Sequence, residues 1–180
     1  MINLIMISIM DIPKKMQHDH AHKLLRECLK SRDIAYSEDL RIEKGKYGKP
    51  YLAEYPDVRY NISHAESIAA CIVSDSECGI DCEKVRKLRE GVLRRAFSER
   101  EREMIASAAE EERDLLFFRL WTLKESYIKA IGTGLSYPLE TAEFLLNSGK
   151  IHTNIKGWHF RQYILREIKY VVSICEKSNL

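Results

Sequence analysis

The stretch SIAACIVSD, Ser67 to Asp75, is apolar or small on both of its alternations. Successive side chains of a strand point to opposite faces, so a strand of this composition has to be covered on both. The next segment, GIDCE from Gly79, reads as its partner strand. The rest of the chain must supply the covering layers.

Two helical segments stand out. KKMQHDHAHKLLRECLKSR follows Pro13 and gathers Met16, Leu24 and Cys28, with Leu25 and Leu29, near one stripe. EEERDLLFFRLWTLKESYIKAIGTG is longer and predicts a stop near Gly132. Ahead of it, FSERERE offers Ser98 as N-cap and Glu101 three residues on, a capping box. MINLIMISIM reads as a first strand; it lacks a basic leader and is too short to span a bilayer. KYGKPYL reads as a turn and a short strand, and GWHFRQYIL and IKYVVSICEK as two more strands. The last repeats the pattern of SIAACIVSD. Helix followed by strands thus occurs twice, which predicts an α+β pseudodimer of two similar halves with a ligand cleft between them. The expected halves are residues 1–86 and 87–180, joined at the charged stretch KVRKLREG.

At 180 residues the chain has room for one domain or two small halves sharing a core. Its net charge of +2 is too small to argue for nucleic acid. Five cysteines with no CxxC pair and no export signal predict reduced thiols and a cytoplasmic, non-membrane protein.

Asp81 and Glu83 are two apart, so on a strand they share a face while Ile80 and Cys82 turn the other way. Paired carboxylates resist joint ionisation unless a cation sits between them, and hard oxygen ligands favour magnesium. The plainer alternative is two solvated acids at a strand end. On the long helix, Leu116, Leu120, Leu123, Tyr127 and Ala130 form one apolar stripe, with Trp121, Glu125 and Lys129 roughly opposite. Phe118 and Ile128 fall among the latter, so the helix is expected to be covered on both sides, with Glu125 and Lys129 sheltered. An i,i+4 ion pair alone would not explain those apolar neighbours. Ser63 and His64 precede the two-faced strand, and with Lys49 they offer donors suited to phosphate. HDHAH places His18 and His22 on one helical face and His20 elsewhere, with no cysteine to complete a zinc site. It reads as a polar helical start.

Taken in order, GKPYL, YNISHAE, GIDCEKV, FSERERE and LWTLKESYIKAIGTGLSYPL resemble the 4′-phosphopantetheinyl transferase superfamily, in its two-half (Sfp-type) form. The resemblance is specific from Lys49 to Leu139 and extends to the ends only in pattern. It implies a pseudodimer with coenzyme A and Mg²⁺ in the cleft. The implied reaction transfers the phosphopantetheine arm of coenzyme A to a serine of an apo acyl or peptidyl carrier protein, releasing 3′,5′-ADP. Position by position, it implies Asp81, Glu83 and Glu125 as metal ligands, with Glu125 and Lys129 catalytic. Lys124 and Lys129 would meet the phosphates, and Lys49, Pro50, Ser63 and His64 would hold the nucleotide end. The arginine usual in the first helix is missing, leaving His22 and Lys23 as candidates; Lys14 or Lys15 could stand for the usual N-terminal lysines. A monomer is expected.

Two other readings fit the residues less well. Metal-dependent nucleases place a lysine two residues past the second acid, but Val85 stands there. A catalytically inactive carrier-protein or nucleotide-binding module is disfavoured by the intact Asp81, Glu83, Glu125 and Lys129.

Overall fold

The computed structural model describes residues 4–9, 14–37 and 40–178, with the Lys14 side chain also outside the described set. The two-faced strand is β5 (Ile68–Ser74), the centre of an antiparallel sheet ordered β1 (Leu4–Ile9), β5, β4 (Arg59–Ala65). Its alternation is used in full. Ala69, Cys71 and Val73 pack with Leu24, Leu25, Cys28 and Leu29 of helix α1 (Lys14–Lys30). Ile68, Ala70 and Ile72 pack instead with Ile80, Cys82, Val172 and Ile174 of a second sheet.

That second sheet is ordered β6 (Cys78–Lys84), β10 (Tyr170–Lys177), β9 (Trp158–Leu165), again antiparallel. Its far face carries α4 (Glu110–Ile131), whose Phe117, Phe118, Leu120, Leu123 and Ile128 form a core with Val171. The layers therefore run helix, sheet, sheet, helix. Short elements fill the rest: hairpins β2 (Ile42–Lys44) with β3 (Pro50–Leu52) and β7 (Phe144–Asn147) with β8 (Lys150–Thr153), and helices α2 (Glu90–Ala96) and α3 (Glu99–Ser107). The capping box at Ser98 and Glu101 forms as expected, and Gly132 ends α4 in the left-handed conformation.

The two halves match in order: a first strand, a helix on the sheet, then a hairpin whose last strand is central. This correspondence corrects one sequence expectation. GIDCE is not the partner of β5; β6 pairs with β10, Asp81 opposite Ser173 and Glu83 opposite Val171. Because β6 opens the second half, the structural boundary falls between β5 and β6, and a division after residue 86 would cut the second sheet.

The outer edge of β6 meets β4 without a ladder. Asn61 Oδ1 accepts from Ile80 N at 2.9 Å, and Ser63 Oγ accepts from Cys82 N at 3.3 Å. Two polar side chains of one strand thus satisfy the free amides of the other and join the halves.

Candidate active site

Helix α4 crosses β6 at Gly79. A Cβ there would stand 2.1 Å from Ser126 O and 2.5 Å from Ala130 N. Residues 79, 81 and 83 share the face that this helix covers, so the close approach sets Asp81 and Glu83 against Glu125 and Lys129, the neighbours of Ser126 and Ala130.

Asp81 is 5% exposed. Its Oδ1 accepts from Lys129 Nζ at 2.6 Å and from Ser63 Oγ at 3.1 Å, whereas its buried Oδ2 has no partner. Burial pushes the Asp81 carboxyl up, and the Lys129 ammonium opposes that. Burial works against the Lys129 charge too, but Asp81 outweighs it and holds the amine protonated. Lys129 also donates to Ser63 Oγ at 3.0 Å and Ile80 O at 3.3 Å. Glu83 is raised by burial and by Asp81, while Arg86, 3.3 Å away, and a hydrogen bond from Trp121 hold it down. Glu125 is pushed up to about 7, by burial first and then by Asp81, with Lys129 opposing and Glu83 adding.

Burial raises all three acids and Asp81 further raises Glu83 and Glu125, so together they form a cation-seeking set in which the orphaned Asp81 Oδ2 is an oxygen ready to ligate. The donor chemistry fits magnesium. Among the described residues, however, no three His, Cys, Asp or Glu side chains are drawn into a metal-holding group. Lys129 occupies the inner oxygen of Asp81 instead.

Other expected site residues are placed differently. Lys124 is fully buried and does not reach the cleft. Its amine donates to Glu101 Oε2 at 2.8 Å, Leu139 O at 2.9 Å and Ala142 O at 2.5 Å. A phosphate could be met only by breaking all three contacts, so its implied role is corrected to anchoring the 139–142 segment. Lys49 donates to Glu77 Oε2 at 2.6 Å, Ala130 O at 2.5 Å and Cys78 O at 3.3 Å. Cys78 is four residues from Cys82, where Ser63 bonds, about 13 Å along the strand. The expected grouping of Lys49 with Ser63 and His64 around one phosphate is therefore not formed. Lys49 and Pro50 line a separate cleft of about 660 Å³ with Tyr47, Arg59, Glu77 and Trp158.

His64 is exposed on β4, with the charges of His18 and Lys129 acting on it. His22 is half-buried, its Nδ1 3.2 Å from Tyr36 OH, while Lys15 and Lys23 are exposed. His18 lies beside His22 with ring centroids 4.4 Å apart and the rings tilted by 42°, and His20 turns to Ser8 instead. The sequence reading missed Asn61, whose signal was its two-residue spacing from Ser63.

Residues 77–175 match the family model of the 4'-phosphopantetheinyl transferase superfamily, a span that begins where β6 opens the second half. The 4'-phosphopantetheinyl transferase Sfp of Bacillus subtilis (strain 168) is 31% identical over 142 residues, 78% of this chain and 63% of that protein. The 4'-phosphopantetheinyl transferase gsp of Aneurinibacillus migulanus is 36% identical over 105 residues, 58% of this chain and 44% of that one. The L-aminoadipate-semialdehyde dehydrogenase-phosphopantetheinyl transferase of Homo sapiens is 36% identical over 122 residues, covering 60% and 40%. The chain thus spans from 40 to 63% of the length of these curated relatives. With the matched span holding the Asp81 and Glu83 strand, the Glu125 and Lys129 helix and the sheet that joins them, the chain belongs to the 4'-phosphopantetheinyl transferase superfamily.

Proposed function

We propose that this chain is a holo-carrier-protein synthase. It transfers the 4′-phosphopantetheine arm of coenzyme A to a serine of an apo acyl or peptidyl carrier protein and releases 3′,5′-ADP. The observation that carries this reading is Asp81: a buried carboxylate with one oxygen on Lys129, the other unpartnered, and two half-buried glutamates whose carboxyls it raises.

Asp81, Glu83 and Glu125 are the residues that would hold Mg²⁺, which when bound offsets phosphate charge. Lys129, kept protonated by Asp81, adds fixed positive charge on the same wall. Ser63 orients that pair from the opposite strand. Glu125, poised near neutrality, takes the serine proton. The serine Oγ bonds to the phosphorus bearing pantetheine, and the bond from that phosphorus to its bridging oxygen breaks. The electron pair leaves with 3′,5′-ADP.

Among the described residues no helix is long and apolar enough to cross a membrane. All five cysteines are buried and unpaired, in keeping with a reducing cytoplasm. We take the working form to be a monomer.

The test is to incubate the protein with coenzyme A, Mg²⁺ and a panel of apo carriers and to read each carrier by intact mass. Addition of one phosphopantetheine to the carrier serine is the expected outcome. Coenzyme A binding without transfer to any carrier would instead identify an inactive binding module.

A further inference from the structure

The face of the second sheet beneath α4 carries a row of polar residues in a mostly apolar layer. Ser173 of β10 stands opposite Asp81 on one side and opposite Gln162 of β9 on the other, so all three share that face. Ser173 and Thr122 of α4 are fully buried, and Phe117, Phe118, Leu120 and Leu123 of the same helix lie in the core around them. Polar groups in such a layer are costly unless bonded, and these are bonded. Arg119 Nε donates to Gln162 Oε1 at 2.7 Å, and Gln162 Nε2 donates back to Arg119 O at 2.9 Å. The other Nε2 proton goes to Ser173 Oγ at 2.8 Å. Thr122 donates to Phe118 O at 2.9 Å, which leaves the Ser173 proton for Thr122 Oγ1 at 2.7 Å. We propose that Gln162, with Ser173 and Thr122, is a positioning clasp that fixes the roll of α4 on the sheet and so sets Trp121 and Glu125 against Asp81 and Glu83. The inference rests on the transferase reading for the reaction that the clasp serves. The family resemblance assigns none of the three a part.

Helix geometry says why roll matters here. Arg119, Thr122 and Ser126 stand at i, i+3 and i+7, one stripe turned to the sheet. The close approach of Ser126 to Gly79 sets how deep the helix lies. Hydrogen bonds are directional, so the clasp sets its rotation, about 6 Å along the axis from Ser126 at Thr122 and about 10 Å at Arg119. Glu125 lies between the two contacts, on the flank of the stripe. A carboxyl about 6 Å from the axis moves by roughly 1 Å for every 10° of roll. Trp121, whose indole donates to Glu83, turns with it. Misplacement of reacting groups on that scale lowers turnover by as much as about a hundredfold. A buried network of this kind also selects one arrangement of its elements, because any other leaves its members unbonded.

The test uses Gln162→Met, which keeps the bulk and removes the amide, and two changes at Thr122. Thr122→Val removes the hydroxyl at nearly constant shape, and Thr122→Ser keeps it. All are compared with the unaltered chain well below their melting temperatures. With coenzyme A, Mg²⁺ and an apo carrier, Gln162→Met and Thr122→Val should lower kcat by roughly tenfold or more, with KM for coenzyme A within about threefold. Thr122→Ser should retain the rate. A second readout needs no catalysis. The chain has two tryptophans, so the indole N–H signal of Trp121 is assigned by NMR as the one that persists in Trp158→Phe. That signal should shift and exchange faster with solvent in Gln162→Met and Thr122→Val, and stay as it was in Thr122→Ser. An unmoved Trp121 signal in folded Gln162→Met overturns the proposal, as does a Thr122→Ser variant that behaves like Thr122→Val. Should Gln162→Met fail to fold, Thr122→Val against Thr122→Ser decides by the same signal. A chain that modifies no carrier but shows the Trp121 change keeps the clasp and loses the transferase reading. An active chain with an unmoved Trp121 signal does the reverse.

Discussion

Gly79 lies so close beneath Ser126 that a Cβ on the strand would sit 2.1 Å from the carbonyl oxygen of the helix. The absence of a side chain at one strand position lets α4 descend onto β6, and the descent brings Glu125 and Lys129 to Asp81 and Glu83. Fold and site depend on the same contact.

Gly79→Ala therefore has backbone, not a flexible side chain, to displace. Overpacking of this kind costs about 1–3 kcal/mol, and the lack of any yielding atom puts this case at the upper end or beyond. Chemical denaturation should show the loss. Transfer activity should fall even in protein that remains folded, because the helix carrying Glu125 is lifted. Full activity with an unchanged midpoint would mean that the helix can shift without disturbing the acids.

Lys124 and Glu101 form an enclosed pair, with no exposed side-chain surface on either residue. Lys124→Met should leave Glu101 charged and unpaired, destabilising the protein by about 3–5 kcal/mol. The double variant Lys124→Met, Glu101→Leu removes both charges and should recover much of that loss. Coenzyme A affinity, measured by calorimetry on folded double variant, should stay within a few-fold of the starting protein. A large drop in that affinity would return Lys124 to the phosphates.

Asp81→Asn keeps the shape but removes the charge that meets Lys129 at 2.6 Å. The Mg²⁺ concentration needed for half-maximal transfer should rise clearly, with coenzyme A still bound. An unchanged Mg²⁺ titration would take Asp81 out of the proposed ligand set.

Glu125→Gln separates function from stability. Loss of a general base lowers turnover by roughly 10²–10⁴-fold. Stability should move the other way. Glu125 has its carboxyl raised to about 7 in the fold from an ordinary 4.5. Below pH 4.5 both folded and unfolded chains hold the proton, so nothing is lost. As pH rises from there to about 7 the unfolded chain releases it first, and the fold is penalised by an amount on the order of 2–3 kcal/mol. Glu125→Gln should thus melt several degrees higher at pH 8, with the gap closing towards pH 5. A variant that melts lower at pH 8 would show that the charged form is well accommodated.

Local features were legible where a short-range rule sufficed. The capping box of Ser98 and Glu101, the Gly132 stop and the alternation of Ile80 and Cys82 against Asp81 and Glu83 all follow from residues within a turn or two. The alternation in β5 also announced a layer on each side, and the structure fills them with α1 and the second sheet.

What failed involved partners far along the chain. β6 follows β5 directly, yet its ladder is with β10, some ninety residues later. The reason is topological: β6 stands first in a second copy of the strand, helix and hairpin order, and a first strand pairs with the last. Lys124 was misread for a related reason. It adjoins Glu125 in sequence, but one residue on a helix is a turn of about 100°. That rotation carries it away from the cleft and into the core, where α3 supplies Glu101 as counter-ion. The sequence by itself determined which residues form the helices, the two-faced strand and the acidic face of β6, because those follow from local periodicity and capping. Only the tertiary structure decided which strand β6 would join, which lysine would be buried and which would meet Asp81, because those outcomes depend on groups brought together by packing from distant parts of the chain.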